Sequence, residues 1–351
     1  MGRGLLERGS AEAGPTGARP TRVLPRWARA LLRLVALLVA TSVVTFALVG
    51  ASPVDPVRAN VEQASYAHMS AGQREELEQY WGSSTPIWQR YVHWAAGALR
   101  GDLGESLRFA RPVTEVVGER FASSAALMLA AWLLAGAGGL VLGIAMGTRE
   151  GGALDRVALG ACYLLSSTPA FWLGLLALMV FCVWLGWFPL GFSVPVGVAA
   201  SQVSWADRLY HLVLPALVLA VSNMAGIALH TREKTIDVMA SDYVRFARSR
   251  GEFGLALLAR HGLRNLVVPA LTIELSSVGE VFGGSVLVEQ VFSYPGLGQA
   301  AVTAGLGGDA PLLVAIALVS ALVVFAGNAL ADVLYGVIDP RVRGWEARSR
   351  G

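Results

Sequence analysis

The stretch DYVRFARSRGEFGLALLARHGLRNLVVP, running from Asp242 to Pro269, separates two apolar blocks and decides how the rest of the chain is laid out. Asp242 can cap a short helix and Gly251 can close it. Between them Tyr243, Phe246, Ala247 and Arg250 recur at the i, i+3, i+4 spacing of one helix face, with Arg245 and Arg248 off that face. A helix so basic cannot sit in hydrocarbon, and about nine residues are too few for a stable helix alone in water. It needs a surface to dock on, and the expected surface belongs to another protein.

Hydrophobic residues make up 54% of the chain and charged ones 15%, with a mean hydropathy of +0.54, so this is a membrane protein rather than a soluble globule. A formal net charge of +3 in so apolar a chain gives no support to nucleic-acid binding. Lys234 is the sole lysine and follows Glu233, so the chain has no phosphate-binding loop, and any ATP must be hydrolysed by a partner. Cys162 and Cys182 lie in one apolar run, which suits small packing residues better than a disulfide or a metal pair. His68, His93, His211, His230 and His261 are scattered, and neither a zinc-protease motif nor a nucleophile elbow is present. The chain reads as a non-enzyme without cofactor or metal.

Residues 1–29, rich in Gly, Pro and Arg, read as a disordered tail, and Leu31 to Ala51 as the first span. Residues 52–120 form a polar insert in which Ser70-Ala71-Gly72-Gln73 is a capping box. Within it Trp88, Tyr91, Val92 and Trp94 suit a segment lying at the membrane interface. The second span covers Phe121 to Thr148, with Gly139, Gly143 and Gly147 forming a small-residue ridge suited to static packing or to sliding on a neighbour. The third is one span from Val157 to about Phe188, followed by a loop carrying Pro189, Pro195 and Gly197. The fourth runs from His211 to about Leu229, the fifth from Leu266 to Val288, and the sixth from Leu312 to Tyr335. Six spans with both termini cytoplasmic put 20 of the 28 basic residues inside, as the positive-inside rule requires.

The central stretch resembles the coupling loop of the permease subunits of ABC importers, in the form used by dipeptide, oligopeptide and nickel importers. Those read (D/E)-Y-V-R-T-A-R-A-K-G, then R-H-A-L-R-N and a proline. Asp242-Tyr243-Val244-Arg245, Ala247-Arg248, Gly251, Arg260-His261, Leu263-Arg264-Asn265 and Pro269 stand in register, with Phe246, Ser249, Arg250 and Gly262 as departures. Gly101-Asp102-Leu103-Gly104-Glu105-Ser106, Ser167-Thr168-Pro169-Ala170-Phe171-Trp172, Leu185-Gly186-Trp187-Phe188-Pro189 and Glu289-Gln290-Val291-Phe292-Ser293-Tyr294-Pro295-Gly296-Leu297-Gly298 match further family motifs, as does the Asp339-Pro340-Arg341 ending.

The resemblance implies an all-α, polytopic membrane protein of six transmembrane helices with a cytoplasmic coupling helix and a long external segment after the first span. It divides the chain into a tail at 1–29, a first span with external helices at 30–120, a five-helix core at 121–340 with its coupling loop at 232–264, and a tail at 341–351. It implies as partners a second homologous permease, two ATP-hydrolysing subunits and an external solute-binding protein. ATPase coupling then falls to Asp242, Tyr243, Val244, Arg245, Phe246, Ala247, Arg248 and Gly251. Glu274, Glu280 and Asp332 are the candidates for a translocation path, although Glu274 and Glu280 equally suit acids satisfied by a neighbouring helix, and six residues of separation put them about 120° apart around a helix. An ion-coupled secondary transporter working through those three acids is the alternative.

Overall fold

The structure is a computed structural model that describes residues 26–54, 59–60, 69–72, 75, 86–193 and 203–338. Helix α1 covers Arg26–Ala51, so the last four residues of the expected tail are helical. Helix α2 (Ile87–Ala98) follows, then a small hairpin of two-residue strands, β1 (Glu105–Ser106) and β2 (Arg111–Pro112). The long helix α3 (Val113–Gly147) leads to α4 (Ala153–Ser166) and α5 (Ala170–Ala177), which continues as a π-helical stretch to Trp184. A second long helix, α6 (Trp205–Ala240), is followed by the short α7 (Asp242–Ser249), α8 (Gly254–Leu257) with a π turn, α9 (Leu263–Ser276) and α10 (Val278–Val291). Helices α11 (Leu297–Gly307) and α12 (Ala310–Ile338) complete the described chain. The capping box at Ser70, Pro195, Gly197, the Asp339-Pro340-Arg341 ending and both terminal tails lie wholly or partly outside the described residues.

Helices α3 and α6 form the frame, and the glycine ridge explains how. A Cβ on Gly139 would stand 2.7 Å from Ile227 Cβ, one on Gly143 would stand 2.5 Å from the Ala228 carbonyl oxygen, and one on Gly147 would stand 2.5 Å from Thr235 Cβ. Because each four-residue step along α3 meets a four-residue step forward along α6, the two helices run parallel, with backbones in contact. One end of the pair carries the β hairpin and the other carries α7. Around this frame Leu127, Ala131, Leu219, Val281, Val288 and Phe292 build the main core. At the hairpin end Val113, Val116, Leu297, Ala300 and Leu312 build a second. Helix α2 packs on the C-terminal half of α1 through Phe46, Tyr91 and Trp94, with Ser42 Oγ 3.0 Å from Tyr91 Oη.

Among the described residues four helices are long and apolar enough to cross a membrane singly, and two bent pairs bring the number up to six. The six expected spans are found on that count, with four corrections. The third is not one straight helix: α4 and α5 meet at 107°, with Pro169, which donates no N–H, extended at φ −61° and ψ 139° between them. The fifth is also broken, with 55° between α9 and α10 at Ser277. The fourth extends well past Leu229 to Ala240, and the second starts at Val113 rather than Phe121.

Candidate functional site

Helix α7 is anchored at both ends by its own sequence. Its N-cap is Ser241, whose hydroxyl is turned back to the Val238 carbonyl, so Asp242 is the first helical residue and favours the positive helix end rather than capping it. At the other end Gly251 lies in the left-handed region at φ +88°, its N–H bonded to Arg248 O at 2.9 Å and that of Glu252 to Ala247 O at 3.2 Å. This double bond pattern ends a helix firmly and favours glycine at its centre.

The face read from spacing is divided by the structure. Ala247 turns inward beside Val244, 4% and 1% exposed, into a cluster with Val238, Leu257, Leu258 and Leu266. Tyr243 and Phe246 turn outward, Phe246 with 64% of its surface exposed and the Arg250 guanidinium 6.0 Å from its ring centre. The i, i+3 and i+4 positions span more arc than either side needs, so the residue next to the chain is claimed by the chain. Arg245 pairs loosely with Asp242 at 3.7 Å across exposed surface.

The second half of the motif ties this helix down. Asn265 Nδ2 donates to Tyr243 Oη at 3.0 Å, and His261 Nε2 lies 3.0 Å from Glu252 Oε2, which Arg260 also approaches at 3.6 Å. Helix α7 is therefore fastened to the start of α9 by polar contacts and to the end of α6 by apolar ones. His261 and Asn265 are letters of the sequence motif, and these contacts are the part of their role that spacing alone does not show.

The three membrane acids do not come together. Glu274 is buried on α9 with its carboxylate against Gly136, and its Oε2 has no hydrogen-bond partner. Its carbonyl accepts from Trp132 Nε1 at 3.0 Å and from Ser277 Oγ at 2.8 Å, which satisfies the acceptor freed by the break before α10. Glu280 lies beyond that break and is exposed on α10. Asp332 falls in the last turns of α12, where its side chain is outside the described residues. No group of three or more His, Cys, Asp or Glu among the described residues could hold a metal ion.

Other acids, unremarked in the sequence or noted only as motif letters, hold the ends of the bundle. Glu289 is fully buried, accepting from Ser124 Oγ at 2.6 Å and from the N–H groups of Gly298 and Gln299 at 2.7 and 3.1 Å, so it caps α11. A Cβ on Gly296 would overlap that carboxylate, which accounts for both the glutamate and the glycine of the motif. Asp309 caps α12 in the same way, 3.2 Å from Leu312 N, and takes Ser106 Oγ at 2.6 Å, joining the Gly101–Ser106 motif to the last span. Asp155 receives Arg232 in a two-point contact at 2.6 and 2.8 Å.

At the hairpin end α3, α6 and the loop after α10 enclose a cleft of ≈ 830 Å³ whose lining includes Arg120, Ser123, Trp205, Arg208 and Tyr294. Burial pushes the Tyr294 phenol up to about 12, so it keeps its proton.

Residues 139–344 match the family described as binding-protein-dependent transport system inner membrane component. The chain is 34% identical over 315 residues to the oligopeptide transport system permease protein AppB of Bacillus subtilis (strain 168), covering 90% of this chain and 98% of that one. It is 30% identical over 335 residues to the dipeptide transport system permease protein DppB of Escherichia coli (strain K12), covering 89% and 98%. It is 33% identical over 313 residues to the glutathione transport system permease protein GsiC of Salmonella typhi, covering 89% and 97%. These likenesses favour an ATP-driven importer over an ion-coupled carrier. With its bundle of membrane helices, its tethered short helix and these relatives, the chain belongs to the binding-protein-dependent inner membrane components, the permease subunits of ABC importers.

Proposed function

We propose that the chain forms, with a second permease, the translocation path of a peptide importer, and that α7 is the helix through which two ATP-hydrolysing subunits drive it. An external solute-binding protein delivers the solute at the hairpin end, and the α7 end and both termini are cytoplasmic. The observation that carries this reading is the division of α7: Val244 and Ala247 root it in the bundle while Tyr243, Arg245, Phe246 and Arg248 are left for a partner. Asp242 and Gly251 bound the helix, so a push on its outer face is delivered to α6 and α9 rather than absorbed. Peptide is favoured as the solute because the relatives named above are oligopeptide, dipeptide and glutathione permeases. Of the three membrane acids, Glu280 has the access that a path requires, whereas the Glu274 carboxylate is buried against α3.

The test is Phe246→Asp in the assembled transporter. A carboxylate placed against an apolar socket without a partner costs several kcal/mol, enough to empty the interface. ATP-driven uptake and co-purification of the ATPase should both be lost while the permease still inserts. Ser249→Ala, whose hydroxyl bonds only within α7, should change neither. Wild-type uptake and retention of the ATPase by Phe246→Asp would remove α7 from the coupling role.

A further inference from the structure

The cleft at the hairpin end has a charge arrangement that the coupling role does not use. Among the described residues its one lining carboxylate, Glu119, is held from the side by Arg111 at 2.8 and 3.1 Å. Arg120 is half-buried, and its placed contacts are neutral: Nη1 donates to Gln299 Oε1 at 3.1 Å, and the guanidinium carbon lies 5.1 Å from the Phe109 ring centre. No carboxylate lies within ion-pair distance of Arg120 among the described residues. Arg208 enters from α6, stacked on Trp205 at 5.6 Å. Tyr294 and Ser123 add hydroxyl donors to the same wall. Two positioned guanidinium groups with neutral O–H donors and aromatic surface form a set that complements a carboxylate attached to an organic body, since the guanidinium fork matches carboxylate geometry.

We propose that this cleft receives the free carboxylate of the solute as it leaves the binding protein, with Arg120 and Arg208 supplying the charged donors. The proposal rests on the peptide-importer reading and sharpens it: the permease itself, and not only the binding protein, discriminates for an anionic end. Entry through such a site disfavours solutes whose outer end is cationic or amidated.

The experiment footprints arginines with phenylglyoxal in the purified full transporter without binding protein, reading Arg120 and Arg208 by mass spectrometry. Alanyl-alanine should protect both residues, and alanyl-alanine amide should protect neither. In Arg208→Gln the concentration of alanyl-alanine that protects Arg120 should rise about tenfold, the usual worth of one charge-assisted hydrogen bond, with a smaller rise in Arg208→Lys. Equal protection by the amide, no protection at all, or an unchanged concentration in Arg208→Gln would overturn the proposal. Arg208 is exposed on α6, and a melting curve of Arg208→Gln that matches the wild type shows that any change in protection is not a loss of fold. Uptake of alanyl-alanine by the wild-type transporter with its binding protein is measured alongside. Protection without uptake would sink the peptide-importer reading and leave the carboxylate site standing, and uptake without protection would do the reverse.

Discussion

Asp155 and Arg232 carry the one two-point ion pair at the α7 end among the described residues, with the carboxylate side chain 2% exposed. It ties the part of α6 that runs past the apolar stretch ending at Leu229 to the start of α4. Removing one partner strands the other, which typically costs roughly 3–5 kcal/mol. Arg232→Ala should therefore lower the apparent melting temperature of the purified permease markedly, and Asp155→Asn added to Arg232→Met should recover most of the loss. If Arg232→Ala melts like the wild type, the pair is not structural. Side-chain roles of this kind were poorly legible in the sequence. Asp155 and Arg232 are 77 positions apart and fit no local pattern. Glu274 drew notice because a carboxylate inside an apolar run is conspicuous, yet the structure puts it at a helix break beside Gly136. Glu289 drew none beyond its motif letter because it stands at the edge of its run, where a carboxylate is unremarkable.

Element boundaries were legible wherever a breaker residue coincides with a break in the apolar pattern. Gly251 closes α7 as its position foretold, and the glycine ridge of α3 meets a neighbouring helix as its spacing required. Pro169 was in view, but a proline can kink a span or end it, and only packing chose the 107° turn. The break at Ser277 has no proline at all and is held by Trp132 from another helix, a contact that no local reading contains. The division of α7 was also hidden, since its spacing does not say which flank the chain itself will cover. Gly251→Val tests α7 as an element. A β-branched residue in the left-handed region costs roughly 1–2 kcal/mol, so the last turn should unwind while insertion is unaffected. ATP hydrolysis stimulated by the loaded binding protein should fall severalfold with the ATPase still bound. Full stimulation in this variant would mean that the rigidity of α7 is irrelevant to coupling.

At the scale of the whole molecule, the six-span architecture was legible from apolar length and charge asymmetry, which report on solvent and not on contacts. The orientation proposed above rests on the same asymmetry and is open to a direct check. Cys162 and Cys182 are buried and unpaired, so the background of thiol labelling is low. In cells, Arg108→Cys should react with a membrane-impermeant maleimide, and Ser249→Cys should react only after permeabilisation. The opposite pattern would invert the protein. The parallel contact of α3 and α6 also has a mechanical side. With 35 and 36 residues at about 1.5 Å each, the pair is a bar roughly 50 Å long, well beyond the ~30 Å of hydrocarbon it crosses. Since glycine-to-backbone contact denies the two helices independent play, a tilt of roughly 5° at the α7 end sweeps the opposite tip through about 4 Å, more than the width of a water molecule. Leverage of that size lets a small stroke at one membrane face reshape an opening at the other.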